Sequence, residues 1–227
     1  MNIWPLLRGD IRFQYKYGFY FLYLFFTLLY VSLLMAFPET WREKAAILMI
    51  FSDPTAMGLY FMGAIVLLEK SERVINSIAV SPVRTHEYTL SKLFSIGVIS
   101  LIVGVAIGLF SNGGSITLQF AAGIFLCSCL FSAVGLIIAA KSVSLNGFII
   151  ATIPAELLIN LPAIAWLFGW RPAWLLLHPG VCMMVLCENE KHVLPACLIL
   201  ALWTLLASNM ANHTVKGMFK EIGGIKL

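Results

Sequence analysis

Two acidic residues, Asp53 and Glu156, lie in apolar stretches where an ionisable side chain is costly and is therefore a functional hypothesis by default. Glu156 lies between Pro154 and Pro162, with Asn160 one helical turn further on. Because proline has no N–H to donate, polar groups must satisfy the backbone carbonyls that the two prolines leave free. Glu156 and Asn160 are therefore candidates for a structural hydrogen bond or, equally, for a substrate path or subunit interface.

Asp53 has a second interpretation. The order Ser52-Asp53-Pro54 is typical of an N-cap residue followed by proline in the first turn of a helix. The sequence therefore predicts that Asp53 begins the second membrane helix near the outer leaflet, and Asp53 is kept as a second substrate-path or interface candidate.

The charged stretch from Glu69 to Lys92 is the largest water-facing segment, with seven of the 26 charged residues of the chain. Polar residues recur there at spacings of three and four, and apolar residues take the other face, which predicts a short amphipathic helix. The polar positions are Lys70, Arg73, Asn76 and Ser77.

Ser81-Pro82 is expected to end this short helix, because a residue before proline is disfavoured in the α conformation. Thr85 is a suitable N-cap for the next helix, and Glu87 fits its first turn. The whole segment is either a solvated loop between two membrane helices or a docking element for a cytoplasmic partner.

Motifs for catalysis and nucleotide binding are missing. The sequence has no G-x-x-x-x-G-K-[ST] loop, so ATP binding of that kind is excluded from this chain. His86-Glu87 opens like a zinc-protease motif but lacks the second histidine, and no G-x-S-x-G is present. We therefore expect no enzymatic activity and no metal or other cofactor in this chain.

The composition is that of an integral membrane protein. Hydrophobic residues make up 60% of the 227 residues and charged residues 11%, and the mean hydropathy is +0.92. Soluble domains carry about 25% charged residues. The net charge of +4 is what cytoplasmic loops of a membrane protein need, so it does not indicate nucleic acid binding.

Six segments are long enough to cross a bilayer, which takes about 20 apolar residues per helix. We therefore predict an all-α polytopic protein that forms one domain, 1–227, with an amphipathic helix before the first span. The predicted spans are 19–37, 46–68, 93–110, 116–140, 147–170 and 193–210, with a turn at 111–115.

The distribution of basic residues predicts that both termini are cytoplasmic. In this orientation eleven of the 15 Lys and Arg residues lie on the cytoplasmic side. Residues 173–187 are too short to span and contain His178-Pro179-Gly180, so they are predicted to form an outer re-entrant or interfacial element. Cys182 and Cys187 in this element are close enough in sequence to pair.

The run from Ile50 to Arg73, continued by Ala79 to Arg84 and by Glu87-Tyr88 to Lys92, resembles the ABC-2 type permeases of ATP-binding-cassette exporters. These carry a charged segment after the second span, a Ser/Thr-Pro hinge and a Tyr-x-x-x-Lys entry to the third. The likeness covers essentially the whole chain and is closest to the small permeases known as fluoroquinolone exporters.

The resemblance implies a permease that pairs with a second permease, in a homodimer or heterodimer, and with two ATPase subunits that bind ATP and Mg²⁺. Residues 70–80 would be the cytoplasmic coupling helix, and the substrate would pass between the permeases. The ATPase-coupling residues implied in this way are Lys70, Glu72, Arg73, Asn76, Pro82 and Arg84.

The sequence thus favours the permease subunit of an exporter of a small molecule, drug or lipid-like compound in the bacterial cytoplasmic membrane. Two alternatives stay open: a stand-alone secondary transporter, and a membrane subunit for sensing or immunity that transports nothing. A secondary transporter generally has several charged residues within its spans, and only Glu156 is convincing here.

Overall fold

The computed structural model describes residues 3–111, 116–188 and 192–222, and these form helices without any β-strand. Short connections join the helices in chain order. The helices are α1 (Ile3–Lys16), α2 (Phe19–Ala36), α3 (Glu39–Asp53), a π-helical segment (Pro54–Phe61), α4 (Met62–Ser71), α5 (Val74–Ala79), α6 (Thr85–Leu109), α7 (Leu118–Lys141), α8 (Leu145–Leu167), a 3-10 turn (Ala173–Leu177), α9 (Pro179–Glu188) and α10 (Val193–Ile222).

Six of these helical runs are long and apolar enough to cross a membrane, which confirms the predicted all-α polytopic fold. They are α2, the continuous run from α3 to α4, α6, α7, α8 and α10. The turn predicted at 111–115 lies mostly outside the described residues. The sixth helix continues well past the predicted end at 210, to Ile222.

The prediction that Asp53 begins the second membrane helix is wrong. The helix starts at Glu39, and Asp53 lies inside it with helical angles of φ −62° and ψ −55° and makes no capping hydrogen bond. The chain passes the proline by widening into a π-helical segment, which tolerates the missing N–H donor, so the helix continues through Pro54 instead of starting there.

The six spans differ in how much protein surrounds them. In the second, third and fourth spans 61–67% of the residues are buried, against 17–22% in α2, α8 and α10. The inner helices approach closely at glycines. A Cβ on Gly104 would come within 2.6 Å of Ile124 Cδ1, and one on Gly135 within 2.5 Å of the Leu59 carbonyl oxygen. The small residues of α6 therefore serve packing inside the subunit.

The 3-10 turn and α9 form a hairpin that enters and leaves at the same end of the bundle. At its tip, His178 Nε2 lies 3.2 Å from the carbonyl oxygen of Leu158. Leu158 is nine residues before the end of α8, so the tip lies about 14 Å along that helix. At the mouth, Arg171 and Glu188 form an ion pair of 2.9 Å. Cys182 and Cys187 are free thiols and are not joined.

Candidate functional site

The α5 segment, residues 72–84, is an exposed connection between the second and third spans. Its corner is Arg73, whose φ of +58° is a left-handed conformation that is uncommon for residues other than glycine. Ile75 is fully buried and anchors the helix against α4 and α10. Glu72, Arg73 and Asn76 are exposed on the other side, so this face is free to meet a partner.

The second half of the α5 segment is a turn stabilised by its own side chains. The hydroxyl of Ser81 donates to the carbonyl of Ile78 at 2.7 Å, and the backbone N–H of Arg84 donates to the Glu87 carboxylate at 3.0 Å. Arg84 therefore takes the N-cap position that the sequence suggested for Thr85, which is the first residue of α6. Pro82 and Arg84 are exposed.

Lys70 was grouped with the polar face of the amphipathic helix, but the structure places it elsewhere. Lys70 lies in the last turn of α4. Its ammonium group donates to three carbonyl oxygens at the C-terminus of α7, those of Ala139 at 2.8 Å, Ala140 at 2.7 Å and Ser142 at 3.0 Å. A cation at that position satisfies carbonyls that lack helical partners and opposes the negative end of the helix dipole. Lys70 thus fixes α4 to α7.

Next to Lys70 lies a charged network, formed by Asp10, Glu69, Tyr88, Ser91 and Lys92, that joins three helices. Lys92 of α6 is completely buried, and its ammonium nitrogen lies 2.6 Å from Asp10 Oδ1 and also pairs with Glu69 Oε1. The Tyr88 hydroxyl donates to the other oxygen of Glu69 at 2.8 Å, and Ser91 donates to Asp10. All four carboxylate oxygens therefore accept a hydrogen bond.

Further contacts extend the charged network along α1 and α6. Gln14 donates to the hydroxyl of Ser95 at 3.0 Å, and the rings of Phe13 and Tyr88 lie within 5.9 Å and 5.3 Å of the Lys92 ammonium. Such rings favour a cation over their faces. The network thus attaches α1 to the last turn of α4 and the first turns of α6, the two helices that flank the α5 segment.

Sequence reasoning missed the charged network, although a signal for it was present. Tyr88, Ser91, Lys92 and Ser95 follow one another at spacings of three, one and three, which places polar groups in one stripe of an otherwise apolar helix. Asp10 and Gln14 repeat that pattern on α1 at a spacing of four. Matching the two stripes would have predicted the contact.

Glu156 lies on α8, one of the spans with little protein around it, and accepts a hydrogen bond from the hydroxyl of Tyr60 in the π-helical segment. Both residues are half-buried, as is Asn160 one turn along α8. Polar groups at membrane depth are costly when they face lipid. The arrangement suits a surface that another chain or a substrate covers.

Asp53 is fully buried, and within the described part of the chain no hydrogen bond of good geometry reaches either of its carboxylate oxygens. The buried hydroxyls of Ser100 and Tyr23 lie near Asp53, and the Ser100 hydroxyl is close enough to stabilise its carboxylate. Asp53 and Glu156 therefore occupy different surroundings and do not form one site. Among the described residues, no three His, Cys, Asp or Glu side chains are placed to hold a metal ion together.

Comparison with known proteins shows which family the chain resembles. The model of the fluoroquinolones export permease protein family matches residues 2–206. Fluoroquinolones export permease proteins from two strains of Mycobacterium tuberculosis are each 30% identical over 177 residues, which is 77% of this chain and 75% of theirs. The match includes α1, the α5 segment and all helices of the charged network.

Proposed function

The chain belongs to the fluoroquinolones export permease protein family, and from this premise we propose that it is the transmembrane permease subunit of an ATP-binding-cassette exporter. The proposed complex contains a second permease and two ATPase subunits that bind ATP and Mg²⁺. It would lie in the bacterial cytoplasmic membrane with the α5 segment on the cytoplasmic side, as the excess of Lys and Arg at that end favours. This chain would catalyse no reaction of its own.

The observation that carries the proposal is the way in which the α5 segment is attached. Glu69 and Lys70 are neighbours in sequence, yet Glu69 binds Lys92 and Tyr88 on α6 while Lys70 binds the end of α7. A force on the exposed face of α5 would therefore reach three spans through hydrogen-bonded charges. A solvated loop would not need such an attachment.

The exposed face of α5 supplies the groups for docking in a groove of an ATPase. Glu72 and Arg73 offer both signs of charge and Asn76 offers an amide, while Val80 is an apolar residue with 81% of its surface exposed. An apolar residue amid polar ones is typical of the centre of an interface. Closure of the ATPase pair would tilt α4 and α6 and so alternate the access of the permease.

The proposed substrate path lies along α2 and α8. Few residues of these two spans are buried, and Glu156 with Tyr60 provides the polar group on that surface. A second permease would cover it. The relatives are named for fluoroquinolones, and a polar pair within an apolar aromatic wall suits amphipathic compounds of that class.

Purification of the tagged chain from its native membranes tests the assembly. We expect a stoichiometric ATPase to be retained, and export into everted vesicles to require ATP and Mg²⁺. Export by the isolated chain that is insensitive to vanadate would overturn the proposal in favour of a secondary transporter. No export with any partner would favour a sensing or immunity subunit.

Substitution of the exposed face tests the coupling step. Glu72→Gln with Arg73→Asn removes both charges, and asparagine tolerates the left-handed corner at position 73. We expect the variant to fold and insert normally but to lose ATP-dependent export. The matched control is Lys44→Gln with Glu43→Gln, which removes exposed charges from the start of the second span. Unchanged export in the first variant would contradict the role of α5.

A further inference from the structure

A groove and a basic pocket meet at the N-terminal half of α1. The groove, of about 490 Å³, runs between α1, α6, α7 and α10 and is almost entirely apolar, with Leu90, Phe94 and Leu205 in its wall. The pocket, of about 450 Å³, is formed by α1 alone and contains Arg8, Gly9 and Arg12. Trp4 lines both, so the two cavities lie next to each other at this side chain.

The basic pocket carries two positive charges that no described acidic side chain neutralises. Arg8 and Arg12 are exposed and follow Trp4 at spacings of four, so the three side chains form one stripe of the helix. Within the described residues neither arginine takes part in an ion pair or a hydrogen bond. Asp10 lies between them in sequence but is buried on the other side of α1 against Lys92.

The position of α1 places both cavities at the membrane surface. Only Tyr17 and Gly18 separate α1 from the first membrane span, so the helix lies at the membrane surface. Trp4 is 70% exposed there, and tryptophan favours the level of the lipid headgroups. The groove extends from this level along the apolar walls of three spans.

We propose that α1 and the groove beside it bind one anionic phospholipid. The phosphate and any further headgroup anion pair with Arg8 and Arg12, which can contact phosphate oxygens in a bidentate manner. One acyl chain fills the groove past Leu90 and Phe94. Gly9 leaves the space between the arginines open, since a Cβ at that position would have no atom within 4 Å.

The bound lipid would act on the charged network through α1. One face of α1 carries Arg8 and Arg12, and the opposite face carries Asp10 and Gln14, which bind Lys92 and Ser95. A lipid on the first face would hold the second face in place. Anionic lipid is therefore expected to stabilise the whole permease, whatever its substrate and whether or not an ATPase binds it.

Thermal unfolding of the purified full-length chain in a neutral detergent tests the site. Phosphatidylglycerol should raise the unfolding midpoint more than phosphatidylcholine with the same acyl chains. Arg8→Gln with Arg12→Gln should weaken the binding of phosphatidylglycerol, measured by native mass spectrometry, by roughly 20- to 30-fold, since each cation near an anionic lipid contributes about fivefold. Arg8→Lys with Arg12→Lys should keep most of the preference.

The controls separate a specific site from general attraction of charge. Lys16→Gln with Lys44→Gln removes the same net charge outside both cavities and should leave the preference unchanged. Gly9→Leu should abolish the preference for phosphatidylglycerol by filling the pocket, while the helix still forms. Leu90→Trp should weaken the binding of both lipids by filling the groove. Equal effects of the two lipids on the natural chain would overturn the proposal. So would full retention of the preference in the arginine double variant, or complete replacement of the lipid effect by soluble glycerol phosphate.

Discussion

The charged network and the two acids at mid-membrane, Asp53 and Glu156, are polar groups in an otherwise apolar bundle, yet their surroundings are opposite. In the charged network, two carboxylates share one lysine, and every carboxylate oxygen accepts a hydrogen bond. At mid-membrane, no hydrogen bond of good geometry from the described residues reaches Asp53, and Glu156 accepts one from Tyr60 on a partly exposed surface. The charged network is satisfied within the chain, whereas the surface around Glu156 is left partly uncovered.

This difference suggests that the two regions have different roles within the chain. A buried ionic group whose hydrogen bonds are all satisfied holds helices in one arrangement, because any movement would leave a charge unpaired. A polar group with few partners is available to a substrate or another subunit. In the proposed exporter the end of the bundle near α5 would transmit force, and the outer helices α2 and α8 would meet the substrate.

Removing Lys92 should produce the largest effect. Lys92→Met leaves Asp10 and Glu69 buried beside each other without a cation, which is expected to cost about 3–5 kcal/mol of stability. Thermal unfolding in detergent measures the change, with Lys141→Met, an exposed lysine at the end of α7, as control.

A triple variant makes this prediction sharper. Adding Asp10→Asn and Glu69→Gln to Lys92→Met removes all charges together and should recover most of the lost stability. An unfolding midpoint for Lys92→Met equal to that of the natural chain would show that the charged network does not hold α1, α4 and α6 together.

Tyr88→Phe should have a smaller effect on the same region. It removes only the hydroxyl that donates to Glu69, so one buried carboxylate oxygen loses its partner at a cost of about 1–3 kcal/mol. Tyr15→Phe, on the exposed side of α1, is the matched control and should change nothing. Equal midpoints for the two variants would place Glu69 in contact with water.

Substitution of Glu156 should separate stability from transport. Glu156→Gln keeps the shape of a half-buried side chain and is expected to change stability by no more than about 0.5–1 kcal/mol. If the proposed substrate class is correct, export of a fluoroquinolone should nevertheless fall, and Tyr60→Phe should lower it in the same direction because it frees the same carboxylate oxygen. Normal export by both variants would remove Glu156 from the substrate path.

Asp53→Asn should have the smallest effect on stability. Among the described residues no hydrogen bond of good geometry would be lost, and asparagine keeps an oxygen for the nearby Ser100 hydroxyl, so the change should stay within about 0.5 kcal/mol. The matched variant is Asp10→Asn, which gives up a charged contact and is expected to be clearly less stable. If Asp53→Asn proves the more damaging of the two, Asp53 stabilises the fold more than Asp10 does, and the contrast drawn between the two regions is wrong.

Sequence patterns predicted much of this architecture because hydropathy and turn chemistry are local. The six spans, the short helix after the second span and its interruption before Ser81-Pro82 were all predicted within a few residues, apart from the starts of the second and third spans and the end of the sixth. Asp53 was placed wrongly because Ser-Asp-Pro was interpreted as a helix start. The packed bundle continues the helix through the proline as a π-helical segment instead.

The sequence by itself determined that the chain crosses the membrane with six helices and exposes Glu72, Arg73 and Asn76 between two of them. Only the tertiary structure decided that Lys92 meets Asp10, 82 residues away, and that Lys70 binds α7 instead of projecting from α5. The reason is physical. A bilayer sorts each segment by its own apolar length, whereas the partner of a buried charge depends on which faces of distant helices pack together, and no local pattern specifies that.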